Sequence, residues 1–141
     1  MEYNTYFDGG IQLNRPIDEE TKAQLKLLRS DYGKGDQPDS LCCWTVENSD
    51  MGLLVWDGEE TFYQYVDWLV WLRDNFFNPR GYTFVIGEIS WEGDEHEDRG
   101  RITVNNNRIV EHVGYIQYKE VCVFDYDPVK LKLWQAKAGT L

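Results

Sequence analysis

Apolar positions in the middle of the chain recur with the spacing of an amphipathic helix. When residues are advanced by about 100° each from Phe62, one broad face collects the large apolar side chains and predicts their burial: Phe62, Tyr65, Val66, Leu69, Leu72, Phe76 and Phe77. Asp57 or Gly58 would cap the start of this helix. The Asn78–Gly81 run would end it, because the residue before a proline is restricted and a glycine accepts the left-handed conformation.

Shorter patterns predict a second helix and a set of strands. The helix is predicted over residues 19–29, with Asp18 as its N-cap and one narrow apolar face. Strands are predicted where residues alternate or form short apolar runs between turn residues: 3–13, 41–47, 51–56, 83–91, 101–104 and 108–113. The apolar parity changes within 83–91, which favours a bulge at Gly87–Glu88. Asn105–Asn107 predicts a hairpin turn because asparagine tolerates positive φ.

The order of these elements, β-α-β-β-α-β-β-β, predicts an α+β fold. We expect a largely antiparallel sheet with two helices packed on one face. Residues 115–124 also alternate and predict a further strand. The last dozen residues join an alternating run to helix formers, which leaves their secondary structure open. No repeat or linker divides the chain, so residues 1–141 are predicted to form one globular domain with 126–141 as an extension.

Composition supports a folded chain and restricts its partners. The sequence is 42% hydrophobic and 15% aromatic, unlike chains that stay disordered. Its formal net charge of -11 repels phosphate backbones and anionic membranes, so no direct nucleic-acid binding is expected. Acidic surfaces are mostly just solvated, and a basic partner surface is the alternative interpretation.

The cysteines bear on location and on metal binding. Cys42, Cys43 and Cys122 have no CxxC spacing, and with two histidines in the chain they predict neither a zinc site nor a disulfide framework. Cys42 and Cys43 would point to opposite faces of a strand, one buried and one partly exposed. Reduced thiols suit the cytoplasm. A cytoplasmic location without membrane association is also expected because the sequence has no signal-like start and no membrane-length apolar run.

The acidic stretch 92–100, EGDEHEDRG, is the part of the sequence best suited to a cation. Asp94, Glu97 and Asp98 could supply the oxygen ligands that a hard divalent ion prefers. The spacing does not fit an EF-hand, and a solvated turn is the favoured interpretation. No nucleophile elbow, P-loop or dinucleotide motif occurs, so neither catalytic residues nor a cofactor are predicted and a non-enzymatic protein is favoured.

Trp71 falls on the polar side of the long predicted helix, among Asp67 and Asp74. A large aromatic residue on a polar background is typical of a binding hot spot. With Glu95 from the acidic stretch, these residues form the predicted partner-binding set. The alternative is that the tail of the same chain covers Trp71, through Leu131, Leu133 or Trp134.

Spaced aromatic and glycine motifs occur together between residues 37 and 110. They are W-D-G-x-E-x-F-Y-x-Y-V-x-W-L at 56–69, P-x-G-Y at 79–82, G-E-x-x-W-x-G at 87–93 and D-x-G-x-I-x-V-x-x-N at 98–107. Over these residues the chain resembles a family of small acidic proteins encoded by bacteria and their phages. It departs from the family pattern at Arg80, where the family tends to have tryptophan, and in its tail beyond residue 113. The resemblance implies a phage or mobile-element origin and carries over no catalytic residue.

Three functional hypotheses follow. The preferred one is a non-enzymatic accessory or inhibitor protein that docks on a host or phage protein through an acidic, aromatic-bearing surface and so blocks a nucleic-acid-binding surface. The second is a binder of a nucleotide-like small ligand, or a metal-dependent hydrolase, that uses the 92–100 stretch. The third is a homo-oligomeric structural component joined through Trp71 and an uncovered sheet edge.

Overall fold

The computed structural model describes residues 2–115 and 117–124. Its elements in chain order are β1 (Thr5–Leu13), α1 (Glu19–Leu27), β2 (Trp44–Thr45), β3 (Leu53–Trp56), α2 (Tyr65–Trp71), β4 (Phe84–Gly93), β5 (Arg99–Asn105) and β6 (Arg108–Val113). This order is the predicted one, and the α+β fold is confirmed. None of the described helices combines the length and the apolarity needed to traverse a lipid bilayer.

The strands of the described chain form one antiparallel sheet in the order β2-β3-β1-β4-β5-β6. The N-terminal strand therefore lies in the middle, where it pairs with β3 on one side and with β4 on the other. The last three strands form a meander, since each pairs with its neighbour in the chain. This arrangement places the two sheet edges at β2 and β6.

One face of the sheet carries the core. Alternate residues of the strands point into a single buried cluster, which includes Phe7, Ile11, Leu54, Phe84, Ile89, Trp91, Ile102 and Val104. Leu25 of α1 and Trp68 and Leu69 of α2 belong to the same cluster, so both helices cover this face as predicted. The described residues leave the other face of the sheet open, with Tyr6 and Ile86 exposed on it.

The start of α1 follows the sequence prediction. Asp18 is its N-cap, and the Asp18 carboxylate accepts a hydrogen bond from the Thr21 amide at 2.7 Å. The hydroxyl of Tyr82 donates to the same carboxylate at 3.0 Å, which ties the helix start to the chain that enters β4. The helix ends two residues earlier than predicted, with Leu28 as its C-cap, because the Leu28 carbonyl turns to accept the amide of Cys42.

The second helix begins later than its apolar pattern indicates. Its N-cap is Gln64, so the prediction of a cap at Asp57 or Gly58 is wrong. The Asp57 side chain instead accepts the Glu59 amide at 2.9 Å in a tight turn, and Gly58 has a φ of 96° that a helix cannot contain. Phe62 lies in the loop before the helix, and its side chain is fully buried. The prediction that Phe62 is buried is therefore correct, although the prediction that it lies in the helix is wrong.

Beyond α2 the chain stays helical but changes its hydrogen bonding. Residues Leu72–Phe77 form a π-helical segment, and Asn78–Arg80 a short 3-10 turn that ends at Gly81 with a φ of 85°. The wider π turn allows the adjacent Phe76 and Phe77 both to enter the core. The predicted stop at Asn78–Gly81 is confirmed.

The bulge in β4 lies at Val85 and not at Gly87–Glu88. The ladder between β1 and β4 slips there, because Gln12 pairs with Ile86 while Leu13 pairs with Phe84. Gly87 stays in register opposite Ile11, and an added Cβ would come within 2.7 Å of the Ile11 Cα. The glycine therefore serves close strand approach, which the sequence alone does not distinguish from a bulge.

Residues 41–43 are not part of a strand, so β2 is shorter than predicted. The expectation that one of Cys42 and Cys43 is partly exposed is also wrong, because both thiols are buried. The backbone explains this burial: the Cys42 amide donates to the end of α1, and the Cys43 carbonyl accepts the Asp57 amide next to β3. Desolvation raises the pKa of the Cys42 thiol to about 12 and also raises the pKa of Cys43.

The strand predicted at 115–124 does not form in the described chain. Tyr115 and residues 117–124 have no regular secondary structure, and their side chains are exposed. Alternation alone could not decide this, because a strand forms only when its backbone groups actually pair with those of another strand, and alternation does not encode that pairing. The expectations for residues 126–141, including cover of Trp71 by Leu131, Leu133 or Trp134, lie outside the described residues.

Candidate docking cleft

A cleft of about 450 Å³ lies between α2 and the preceding loop of residues 30–40. We call it the Trp71 cleft, and its lining residues are Asp36, Pro38, Gln64, Asp67, Val70, Trp71, Asp74 and Asn75. Of the predicted partner-binding residues, the fold brings Trp71, Asp67 and Asp74 together here. Glu95 lies in the turn between β4 and β5 and does not line this cleft.

Two indoles fix the loop against α2. Trp68 is buried, and its ring N–H donates to the Ser40 carbonyl at 2.9 Å. Trp71 packs edge-on against Trp68, with 5.5 Å between the ring centroids, and its own N–H donates to the Asp36 carboxylate at 3.1 Å. The polar edge of the Trp71 indole is thus satisfied by the loop, while the side chain as a whole is half-buried.

The cleft offers apolar surface that the described residues leave open. The side chain of Val70 lies in the wall of the cleft and is 37% exposed. Together with the uncovered part of Trp71, it gives the cleft an apolar floor between acidic groups. Such a patch favours association when a partner removes it from water.

The carboxylates of the cleft differ in how far their charge is offset. Asp74 is held by Arg73 through two contacts of 2.7 and 3.2 Å, and this pairing lowers the pKa of Asp74. Arg73 in turn donates to the Asn107 carbonyl at 3.0 Å, which fixes its position. In the described part of the chain no ion pair involves Asp36 or Asp67, and both are exposed. The uncompensated negative charge of the cleft therefore resides mainly on these two residues.

Sequence reasoning missed Asp36 and Arg73. Asp36 reaches the cleft from a loop whose path is set by the Trp68 and Trp71 hydrogen bonds, and no local pattern encodes that contact. Arg73 was a visible neighbour of Asp74 in the sequence. Side chains one residue apart on a helix diverge, however, so their pairing is not expected from spacing alone.

The metal candidates of the acidic turn are engaged in holding the chain together. The Asp94 carboxylate accepts the Asn4 amide at 2.7 Å, and the Tyr3 hydroxyl donates a short hydrogen bond to Asp98. That hydrogen bond is the main reason why the pKa of Tyr3 is raised. Glu97 is exposed, and within the described residues no three His, Cys, Asp or Glu side chains converge as metal ligands would. The turn between β4 and β5 therefore holds the residues that precede β1 in place.

A larger groove of about 600 Å³ lies on the open face of the sheet. Its charged residues mostly face partners of opposite sign: Glu88 lies 3.6 Å from Arg101, and Glu92 lies 3.5 Å from Arg99. Cross-strand pairs of this kind neutralise one another and suit a solvated sheet face. The Trp71 cleft is therefore the stronger candidate, because the described residues neither pair Asp36 and Asp67 with a cation nor cover the apolar surface beside them.

Comparison with protein-family models found no matching family, and searches of curated proteins and of solved structures found no match.

Proposed function

We propose that this protein is a non-enzymatic, protein-binding accessory or inhibitor protein that docks a partner on the Trp71 cleft. The observation that carries the proposal is a half-buried indole beside two carboxylates, Asp36 and Asp67, that no cation of the described chain offsets. The resemblance to small acidic proteins of bacteria and phages supports a phage or mobile-element origin for this protein. The partner is then a host or phage protein.

The chemistry of the cleft favours a basic side chain on the partner. A lysine or arginine could lie against the open part of the Trp71 ring while its charged head approaches Asp36 and Asp67. A cation over an indole contributes about 0.5–2 kcal/mol, depending on how far it is desolvated. Removing water from the charged groups costs free energy. The apolar stem of a lysine or arginine offsets part of that cost by packing on Val70.

The dimensions of the cleft limit what it can hold. A volume of about 450 Å³ accepts one or two side chains and not a folded element. A stable interface also buries roughly 800 Å² on each partner, so the cleft would be its anchor and the surrounding acidic surface its rim. If the basic surface of the partner is one that binds nucleic acid, this protein would act as an inhibitor, because its carboxylates would occupy that surface.

The proposal is tested with the full chain as bait for cell lysate, at low and at high salt. Wild type is compared with Trp71→Ala and with Asp36→Asn/Asp67→Asn. We expect both variants to lose a specific partner that the wild type retains, and the wild type to lose it at high salt. Matched controls are Tyr63→Ala, an exposed aromatic residue outside the cleft, and Asp8→Asn/Asp50→Asn, two exposed acids elsewhere.

The captured partner is then titrated against purified variants. Loss of an anchor worth about 2 kcal/mol weakens binding roughly 30-fold, so Trp71→Ala should raise Kd by at least that factor. Tyr63→Ala should leave Kd unchanged. If no partner distinguishes wild type from Trp71→Ala while the variant keeps its folded circular-dichroism spectrum, the cleft is not a docking site.

A further inference from the structure

The sheet ends in a strand whose outer edge is free in the described chain. β6 pairs with β5 from Arg108 to Val113, and no described strand lies against its other side. The opposite edge, β2, is only two residues long and therefore offers little backbone for pairing. An uncovered strand of six residues presents unpaired N–H and C=O groups that can accept a further strand.

The chain that follows β6 has the composition of a strand but no strand partner. Residues 117–124, QYKEVCVF, are rich in β-branched and aromatic side chains and contain neither glycine nor proline. Tyr118, Val121 and Phe124 are 84%, 88% and 91% exposed. A short segment of this kind beside a free edge is the combination that promotes strand addition between molecules.

We propose that two copies of this chain associate through this region, with residues 117–124 of one copy added to the β6 edge of the other. Each copy supplies one edge and one segment, so a two-fold arrangement satisfies both at once. Within one copy, the described residues 117–124 run on from β6 without pairing with it. Exchange between copies buries the exposed apolar side chains and pairs the free backbone groups.

Charge distribution favours a second copy as the occupant. The chain carries a formal net charge of -11, so most of its surface repels another copy of itself. Residues 108–124 carry no formal net charge, because Arg108 and Lys119 balance Glu111 and Glu120 with the histidine neutral. The Trp71 cleft, with its free carboxylates, would oppose self-association. The sequence suggested self-contact through Trp71 and an uncovered sheet edge, and we assign it to the β6 edge and residues 117–124 alone.

The test is sedimentation equilibrium on the full chain over a wide concentration range. We expect wild type to form a dimer that Val121→Lys/Val123→Lys weakens at least tenfold, because apolar contact is lost and two charged side chains would have to leave water at the interface. The matched control is Leu27→Lys/Met51→Lys, which makes the same charge change at two exposed apolar positions elsewhere. A wild type that stays monomeric up to roughly 1 mM, or a dimer unaffected by Val121→Lys/Val123→Lys, overturns the proposal.

Hydrogen exchange locates the contact. In wild type, amides of 108–113 and 117–124 should exchange more slowly at high concentration and lose this protection on dilution. Protection of 117–124 that persists in the monomer would mean pairing within one copy and would also overturn the proposal. Trp71→Ala should leave dimerisation unchanged, so this result does not depend on the docking function of the cleft.

Discussion

Asp18 connects two parts of the fold through one carboxylate. One oxygen accepts the amide of Thr21 at the start of α1, and the other accepts the hydroxyl of Tyr82, which lies between the α2 run and β4. These hydrogen bonds favour the ionised form, and the Thr21 amide is the first cause of the lowered pKa of Asp18. The residue thus acts as a local cap and as a long-range tie.

We expect Asp18→Ala to lower the melting temperature by a few degrees at neutral pH, because two donors lose their acceptor. Folding lowers the pKa of Asp18, so the contribution of its carboxylate is complete above the ordinary value of 3.8 and is lost as pH falls through the lower folded value. The difference in melting temperature between wild type and Asp18→Ala, followed by circular dichroism, should therefore shrink below about pH 4.

Asp18→Asn is the control, since asparagine keeps a capping oxygen but has no charge to titrate. Its melting-temperature difference from Asp18→Ala should not depend on acid titration at position 18. An Asp18→Ala deficit that stays constant down to about pH 2 would show that the carboxylate charge contributes nothing.

At the scale of elements, the β5–β6 hairpin is the clearest case of local encoding. Asn106 and Asn107 have φ values of 48° and 67°, as the asparagine run predicts. Asn107 has a second role that its sequence position does not reveal, because its side-chain oxygen accepts the partly buried amide of Phe84 at 2.8 Å. The Asn107 amide also donates to the Phe84 carbonyl, which holds the turn against the β4 bulge.

Glycine substitutions separate these two roles. Asn106→Gly should change the free energy of unfolding by no more than about 0.5 kcal/mol, because glycine accepts positive φ freely. Asn107→Gly should cost about 1–3 kcal/mol, because the partly buried Phe84 N–H loses its acceptor. Urea unfolding of both variants measures the difference. Equal values would mean that the Asn107 side chain serves only the turn conformation.

At the scale of the whole molecule, the two helices seal one face of the sheet, and the described residues leave the other face open. The sealed side holds Cys42 and Cys43 among large aromatic rings, where desolvation raises both thiol pKa values. Cys122 is exposed in the segment after β6. Thiol reactivity therefore reports on opening of the core, because the thiolate is the reactive form and must reach solvent.

At a protein concentration low enough to keep the chain monomeric, titration with dithionitrobenzoate at mildly alkaline pH should modify Cys122 quickly and leave Cys42 and Cys43 unreacted until the protein unfolds. In denaturant all three cysteines should react. Cys122→Ser should abolish the fast phase and leave the slow one unchanged. Rapid modification of a second thiol in the native protein would show that the region between α1 and β3 opens without global unfolding.

The element order and most element positions followed from the sequence by itself. Hydrophobic periodicity, the Asp18 cap, the Asn78–Gly81 stop and the asparagine turn are local signals, because each depends on residues only a few positions apart. The sequence also placed Trp71, Asp67 and Asp74 on one side of the helix, because residues at this spacing lie on the same helical face. That they function in docking stays a prediction.

Tertiary structure decided what depends on distant neighbours. Asp36 entered the Trp71 cleft because two indole N–H groups hold its loop, and the acidic turn was engaged by Asn4 and Tyr3 from the start of the chain. Distant contacts also decided three further features that local patterns did not predict: the late start of α2, its π-helical extension and the lack of strand pairing in the described residues 117–124. A backbone group takes whichever partner the whole fold offers, and local sequence cannot specify a partner that lies tens of residues away.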